Sequence, residues 1–145
     1  MPDEKMKADI LAVNTAFYQA LESMDLVAMA DIWMHSVDAV CVHPGWEIIT
    51  GWDAIRESLR AIFADTGYMR FQASDVQLWL HGETARLTCV ENIFSVAGVH
   101  SIHGRVACTN LFVNTEEGWK MIVHHGSPIA SAQPIEADST DVDVN

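Results

Sequence analysis

The segment Gly118-Trp119-Lys120-Met121-Ile122-Val123-His124-His125-Gly126-Ser127-Pro128 alternates and carries aromatic and β-branched side chains, which predicts a strand. Asn114-Thr115-Glu116-Glu117-Gly118 supplies the turn that closes a hairpin before it, and Pro128 ends the ladder. Strict alternation places Trp119, Met121, Val123, His125 and Ser127 on one face and Lys120, Ile122 and His124 on the other. The Lys120 side is expected to be the wet or inter-subunit face. On the opposite side an apolar row then ends in an imidazole and a hydroxyl, as at the mouth of a hydrophobic cavity.

Upstream of this hairpin, three more stretches read as strands. Met69 to Leu80 stops at His81-Gly82, Thr84 to Val96 stops at Ala97-Gly98, and His100 to Val113 leads into the final turn. Earlier still the period changes. Met6, Ile10, Val13, Phe17, Leu21 and Met24 recur every three or four residues, the pattern of an amphipathic helix over roughly residues 5 to 22. A shorter helix follows Asp25, which can cap it, with Leu26, Met29, Ala30 and Trp33 inward. A short strand is expected over Val37 to Val42, broken by His43-Pro44-Gly45-Trp46. Thr50-Gly51-Trp52-Asp53 opens a third helix, with the Thr50 hydroxyl as its expected cap and Trp52, Ile55, Leu59, Ile62 and Phe63 as its apolar face.

This order predicts an α+β architecture: three N-terminal helices packed on one face of a curved antiparallel sheet, forming a cone-shaped, cystatin-like roll. Residues 1–130 are read as one domain. The remainder, 131–145, holds Glu136, Asp138, Asp141 and Asp143 with little that is large and apolar, and is read as a disordered acidic tail.

Composition narrows the function. The chain has 145 residues, half of them hydrophobic, enough for a single core. A net charge of -12 repels phosphate backbones and anionic lipid, so neither nucleic acid nor a membrane is an expected partner. No apolar run is long enough to span a bilayer, and the first ten residues lack the basic start and apolar middle of a signal peptide, so a cytoplasmic protein is expected. Cys41, Cys89 and Cys108 form no Cys-x-x-Cys pair and are read as reduced, buried, small hydrophobes. The histidines are scattered and build no helical ligand set, so no metal and no cofactor are expected. Gly-rich phosphate loops, a serine nucleophile elbow and paired catalytic carboxylates are absent from the sequence.

Three local patterns, Asp25 to Trp33 followed by Asp38 to Pro44, then Thr50 to Ile55, then Gly118 to Ser127, resemble the nuclear transport factor 2 and ketosteroid isomerase superfamily, especially its SnoaL-like members. The resemblance covers about residues 6 to 128 and implies the cone fold. That fold hosts isomerases, dehydratases, cyclases and non-catalytic association domains, so it does not by itself assign an activity.

Residue by residue the isomerase pattern mostly fails. The resemblance puts His43 where the family has an aspartate base before proline, and Asn110 where it has a neutral acid donor. It puts Phe17 at the position of the tyrosine donor, with Tyr18 one residue, about 100°, out of register. Histidine keeps base chemistry available, and the Asn110 amide can donate a hydrogen bond. His43, Asn110 and His125 are therefore the candidate catalytic residues, and Phe17, Tyr18, Trp33, Trp46, Met121 and Val123 the candidate ligand contacts. One of His124 and His125 is expected in the pocket and the other at an interface. Parity leaves open whether Glu91 or Asn92 faces the cavity.

Two functions fit. One is a pocket for a small apolar or amphipathic molecule, acting as an acid-base isomerase, dehydratase or cyclase. The other is an association domain resembling that of calcium/calmodulin-dependent protein kinase II. In either case a homo-oligomer, a dimer or larger, is expected through the outer sheet face.

Overall fold

A computed structural model describes residues 2–130, and the expected acidic tail lies outside the described residues. Helix α1 (Pro2–Ser23) ends where Met24 adopts φ 53°, and the chain reverses into α2 (Leu26–Ile32). Asp25 caps α2 as expected: its Oδ1 accepts from the Ala28 amide at 3.0 Å. Then come β1 (Val40–Val42), β2 (Ile49–Thr50), α3 (Trp52–Asp65) and the long strands β3 (Tyr68–His81), β4 (Thr84–Ala97), β5 (His100–Thr115) and β6 (Gly118–Pro128). All six strands form one sheet in the order β2-β1-β6-β5-β4-β3.

The helices pack on one face of this sheet, and Ile10, Phe17, Met29, Trp33, Ile55, Leu59, Leu87, Phe112 and Met121 are buried between them. The α+β roll is as expected, but the sheet is mixed, because β1 runs parallel to β6. Two local details also differ. The first strand begins at Val40, and Thr50 belongs to the short β2, paired with Val40. Gly51 is instead the N-cap of α3, at φ 93° and without a side-chain cap, and its amide donates to the Ala39 carbonyl at 2.7 Å.

Two bulges bend the sheet. In β3 the register jumps between Ser74 and Gln77, with Asp75 at φ 53°. In β6, Phe112 pairs with Met121 while Leu111 pairs with Val123, so Ile122 is the extra residue. A one-residue insertion exchanges the faces of everything beyond it. Trp119 and Met121 point into the core as expected, but past the bulge His124 and Gly126 are the buried residues and His125 is exposed.

Candidate functional site

A cavity of about 540 Å³ opens between the helices and the inner sheet face, walled largely by apolar groups such as Phe17, Trp33, Leu59, Met69 and Ile93. Three buried polar side chains also line it: His43, Glu91 and His124.

His43 follows β1 directly. Its carbonyl accepts from the Trp46 amide at 2.8 Å across the Pro44-Gly45 turn, where Gly45 supplies φ 84°. The parallel β1–β6 pairing sets Cys41 beside His124 and Val42 beside His125, which brings the turn to the level of Gly126. A β-carbon on Gly126 would lie 3.0 Å from Val106 and 3.2 Å from Pro44, so the absence of a side chain there lets the turn pack against the sheet. The Trp46 ring stands edge-on to the His43 ring at 4.9 Å and is half exposed at the mouth.

The ring tautomers follow from their partners. Ser58 uses its only hydroxyl proton on the Ile55 carbonyl at 2.7 Å, so it accepts from His43 Nε2–H at 2.9 Å. Nδ1 of His43 keeps its lone pair. Asn110 donates through Nδ2 to Asn14 at 2.8 Å, so its Oδ1 accepts from His124 Nδ1–H at 2.7 Å. Nε2 of His124 keeps its lone pair, 4.0 Å from Glu91 Oε2. Tyr18 donates to the same Glu91 oxygen at 2.6 Å.

Burial favours the uncharged form of each group. It lowers His43 to about 4 and His124 to about 3, the latter with help from the neighbouring His43 and His125. It raises Glu91 above the usual carboxylate range, against the opposing hydrogen bonds from Tyr18 and Cys108. His124 is therefore uncharged beside Glu91, and the two do not form an ion pair. The cavity presents two imidazole bases and one carboxyl group that burial makes harder to ionise, in an apolar surround.

Residues 10–131 match the SnoaL-like domain family. The chain belongs to the SnoaL-like family. Among solved structures, this SnoaL-like domain is similar to a provisionally assigned dehydratase of the NTF2-like family from Streptomyces avermitilis, with 32% identity, a TM-score of 0.83, and coverage of 88% of this chain and 99% of that one. It is also similar to a provisionally assigned calcium/calmodulin-dependent protein kinase type II association domain from Thiobacillus denitrificans, with 26% identity, a TM-score of 0.69, and coverage of 81% and 93%. A further relative is the F-box protein SKIP8 of Arabidopsis thaliana, 28% identical over 118 residues; the match spans 81% of this chain and about half, 48%, of that protein.

Within the SnoaL-like cavity the sequence-predicted residues separate into groups. His43, Phe17, Trp33 and Trp46 line it. Tyr18 and Asn110 lie behind the wall, bonded to Glu91 and His124. Met121 is wholly buried in the core, Val123 is half-buried beyond the bulge, and His125 is on the outer face with Ser127, where both border a shallow depression with Thr88 and Thr109. The expectation that His125 ends the cavity row is thus corrected by the Ile122 bulge. Asn92 faces away from the cavity and donates to the Gln72 carbonyl at 2.9 Å.

Asn14 and Ser58 were missed. Each is a polar residue set in an apolar helical stripe, Asn14 between Ile10 and Phe17 and Ser58 between Ile55 and Leu59, and that interruption is the signal that could have found them.

Proposed function

We propose that this SnoaL-like domain is a cofactor-independent acid-base enzyme, a dehydratase or isomerase acting on a small apolar substrate. The observation that carries this reading is the pairing of lone-pair imidazoles with a buried carboxyl group inside one apolar cavity. Such a site can remove a proton next to a carbonyl and return one to a leaving hydroxyl without exposing a charge to water. His43 Nδ1 is the assigned base. Glu91 is the assigned acid, its carboxyl group oriented by Tyr18, and His124, oriented by Asn110, receives or relays the proton. The likeness to a provisionally assigned dehydratase supports the same class. Among the described residues no helix is long and apolar enough to cross a membrane, and three free buried cysteines suit the reducing cytoplasm in which we place the reaction.

The test combines native mass spectrometry of protein purified from its host with a turnover assay on cyclic and aryl β-hydroxy ketones, followed by enone absorbance. Wild-type protein should release a conjugated enone and His43→Ala should not. A bound apolar molecule that neither protein converts would leave a binding protein in place of an enzyme.

The second reading, an association domain, is favoured by the uncovered sheet face and by the Thiobacillus denitrificans likeness. Val76, Trp79 and Tyr68 are exposed along β3, and Val90 and Phe94 are half-buried on β4. Assembly through that face is compatible with catalysis inside the cone.

A further inference from the structure

Beyond the acid-base groups, the inner sheet face holds a second reactive pair. Cys89 on β4 and Cys108 on β5 are directly opposed in the strand register, and both side chains are buried on the core side. Their sulfurs each lie 3.5 Å from the same atom, the Tyr18 hydroxyl oxygen. Opposed residues of an antiparallel pair have α-carbons about 4.5–5.5 Å apart, inside the span a disulfide bridges. Both thiols are free in this structure.

We propose that Cys89 and Cys108 form an oxidisable dithiol that takes a small hydroperoxide as its oxidant. The two thiols differ in a way that orders the step: a hydrogen bond from Cys108 holds Cys89 below the usual thiol range, while Cys108 is raised by its interaction with Cys89 and by burial. Cys89 is the attacking sulfur. Its thiolate attacks one peroxide oxygen, the O–O bond breaks, and the leaving oxygen departs as water or alcohol after taking a proton. The Cys108 thiol then attacks the Cys89 sulfenic sulfur, the S–O bond breaks, and the departing hydroxide takes the Cys108 proton and leaves as a second water. The pair loses two electrons, the peroxide gains them, and one disulfide results. Glu91 and His124 line the cavity, and their polar atoms lie within 4.8 Å of the Cys108 sulfur, which makes the cavity the oxidant's way toward the pair under this proposal. Opposed strands hold β-carbons farther apart than a relaxed disulfide prefers, which makes the bond readily reducible and suits a reversible modification.

The inference rests on strand register and sulfur positions, not on the acid-base reading, and its readout is mass. The folded full chain is treated with hydrogen peroxide, then denatured, alkylated and weighed. The expected product is lighter than the starting protein by about 2 Da before alkylation, with a single thiol left to alkylate. Arg86, Arg105 and Lys120 put Cys89 and Cys108 in separate tryptic peptides, so the linked pair is identified directly. Cys41→Ser should oxidise in the same way. Cys108→Ser should instead leave a Cys89 sulfenic acid that dimedone traps. Three alkylatable thiols after peroxide treatment, or a linkage that includes Cys41, would overturn the proposal.

Discussion

Glu91 Oε2 and His124 Nε2 face each other at 4.0 Å, too far for a direct hydrogen bond and close enough for one oxygen to bridge them at about 2.8 Å from each. A substrate hydroxyl in that position would donate to the imidazole, beside the Glu91 oxygen that Tyr18 already holds. Glu91→Gln keeps an acceptor for Tyr18 but removes the acidic proton. It is expected to lower the turnover rate by roughly 10² to 10⁴ with little change in ligand affinity, and His43→Ala to lower it by a similar factor. Steady-state kinetics and calorimetric binding on the same preparations check both outcomes.

The two buried imidazoles also predict a pH dependence of stability. Their folded values, about 4 for His43 and about 3 for His124, lie below the ordinary 6.5, so the folded state resists their protonation. The stabilisation is complete above about pH 6.5 and is lost as pH falls through the folded values, worth roughly 3 kcal/mol for His43 and roughly 5 kcal/mol for His124. Glu91 is raised, so it runs the other way and contributes most below the ordinary carboxylate range, losing its effect as pH rises. Thermal melts from pH 7 to pH 4 should therefore show a falling Tm, and His124→Gln should flatten that slope whatever its effect at pH 7. A wild-type Tm that holds steady over this interval would contradict burial of neutral rings.

The helices and long strands were legible because their periodicity comes from burial on one side, and Gly118 to Pro128 has the predicted bounds. The histidine that matters was not legible. His124 and His125 are chemically identical, and only the extra residue at Ile122 decides which turns inward, a backbone irregularity with no glycine or proline to mark it. Parallel pairing of β1 with β6 was hidden for a related reason, since a three-residue strand carries too few side chains to show its neighbour. Tyr18 shows the converse. Its position one residue past Phe17 suggested a misplaced hydroxyl, yet both rings are buried, in edge contact at 5.2 Å, and the hydroxyl finds Glu91. The partner, not the helix position, decides whether that oxygen is useful.

His125 provides the matching control. Exposed on the outer face, it should tolerate substitution: His125→Ala is expected to leave turnover and ligand affinity within about twofold, whereas His124→Ala removes a cavity group and leaves Asn110 without its partner. Parallel assays of the two variants test the bulge in solution, and an active His124→Ala beside an inactive His125→Ala would mean that the strand runs without it.

Assembly through the outer sheet face predicts twice the 16.1 kDa chain mass by light scattering at micromolar concentration. Val90 pairs with Ala107 near the middle of that face, so Val90→Asp would bury a charge in the interface and should shift the mass toward the monomer. Loss of the dimer with the cavity intact would also separate the two functional readings, because an enzyme active as a monomer does not need the interface.

Gly126 gives the last test, because it supports the site without entering the chemistry. A methyl group there meets Val106 at 3.0 Å and Pro44 at 3.2 Å, both tighter than ordinary contacts, while the backbone conformation itself sets no obstacle. The Pro44 turn is the softer neighbour, since it lies outside the ladder and is half-buried, whereas Val106 is fixed between β4 and β6. Gly126→Ala is therefore expected to push the turn outward, carry His43 off the Ser58 hydroxyl and cost about 1–3 kcal/mol of stability. Chemical denaturation measures the cost. The displacement is read from the His43 imidazole, whose depressed value of about 4 should move back toward 6.5 in an NMR titration as the ring regains water. An unchanged His43 titration in a folded Gly126→Ala variant would show that Val106 yields instead, and that the turn is held by more than the space above Gly126.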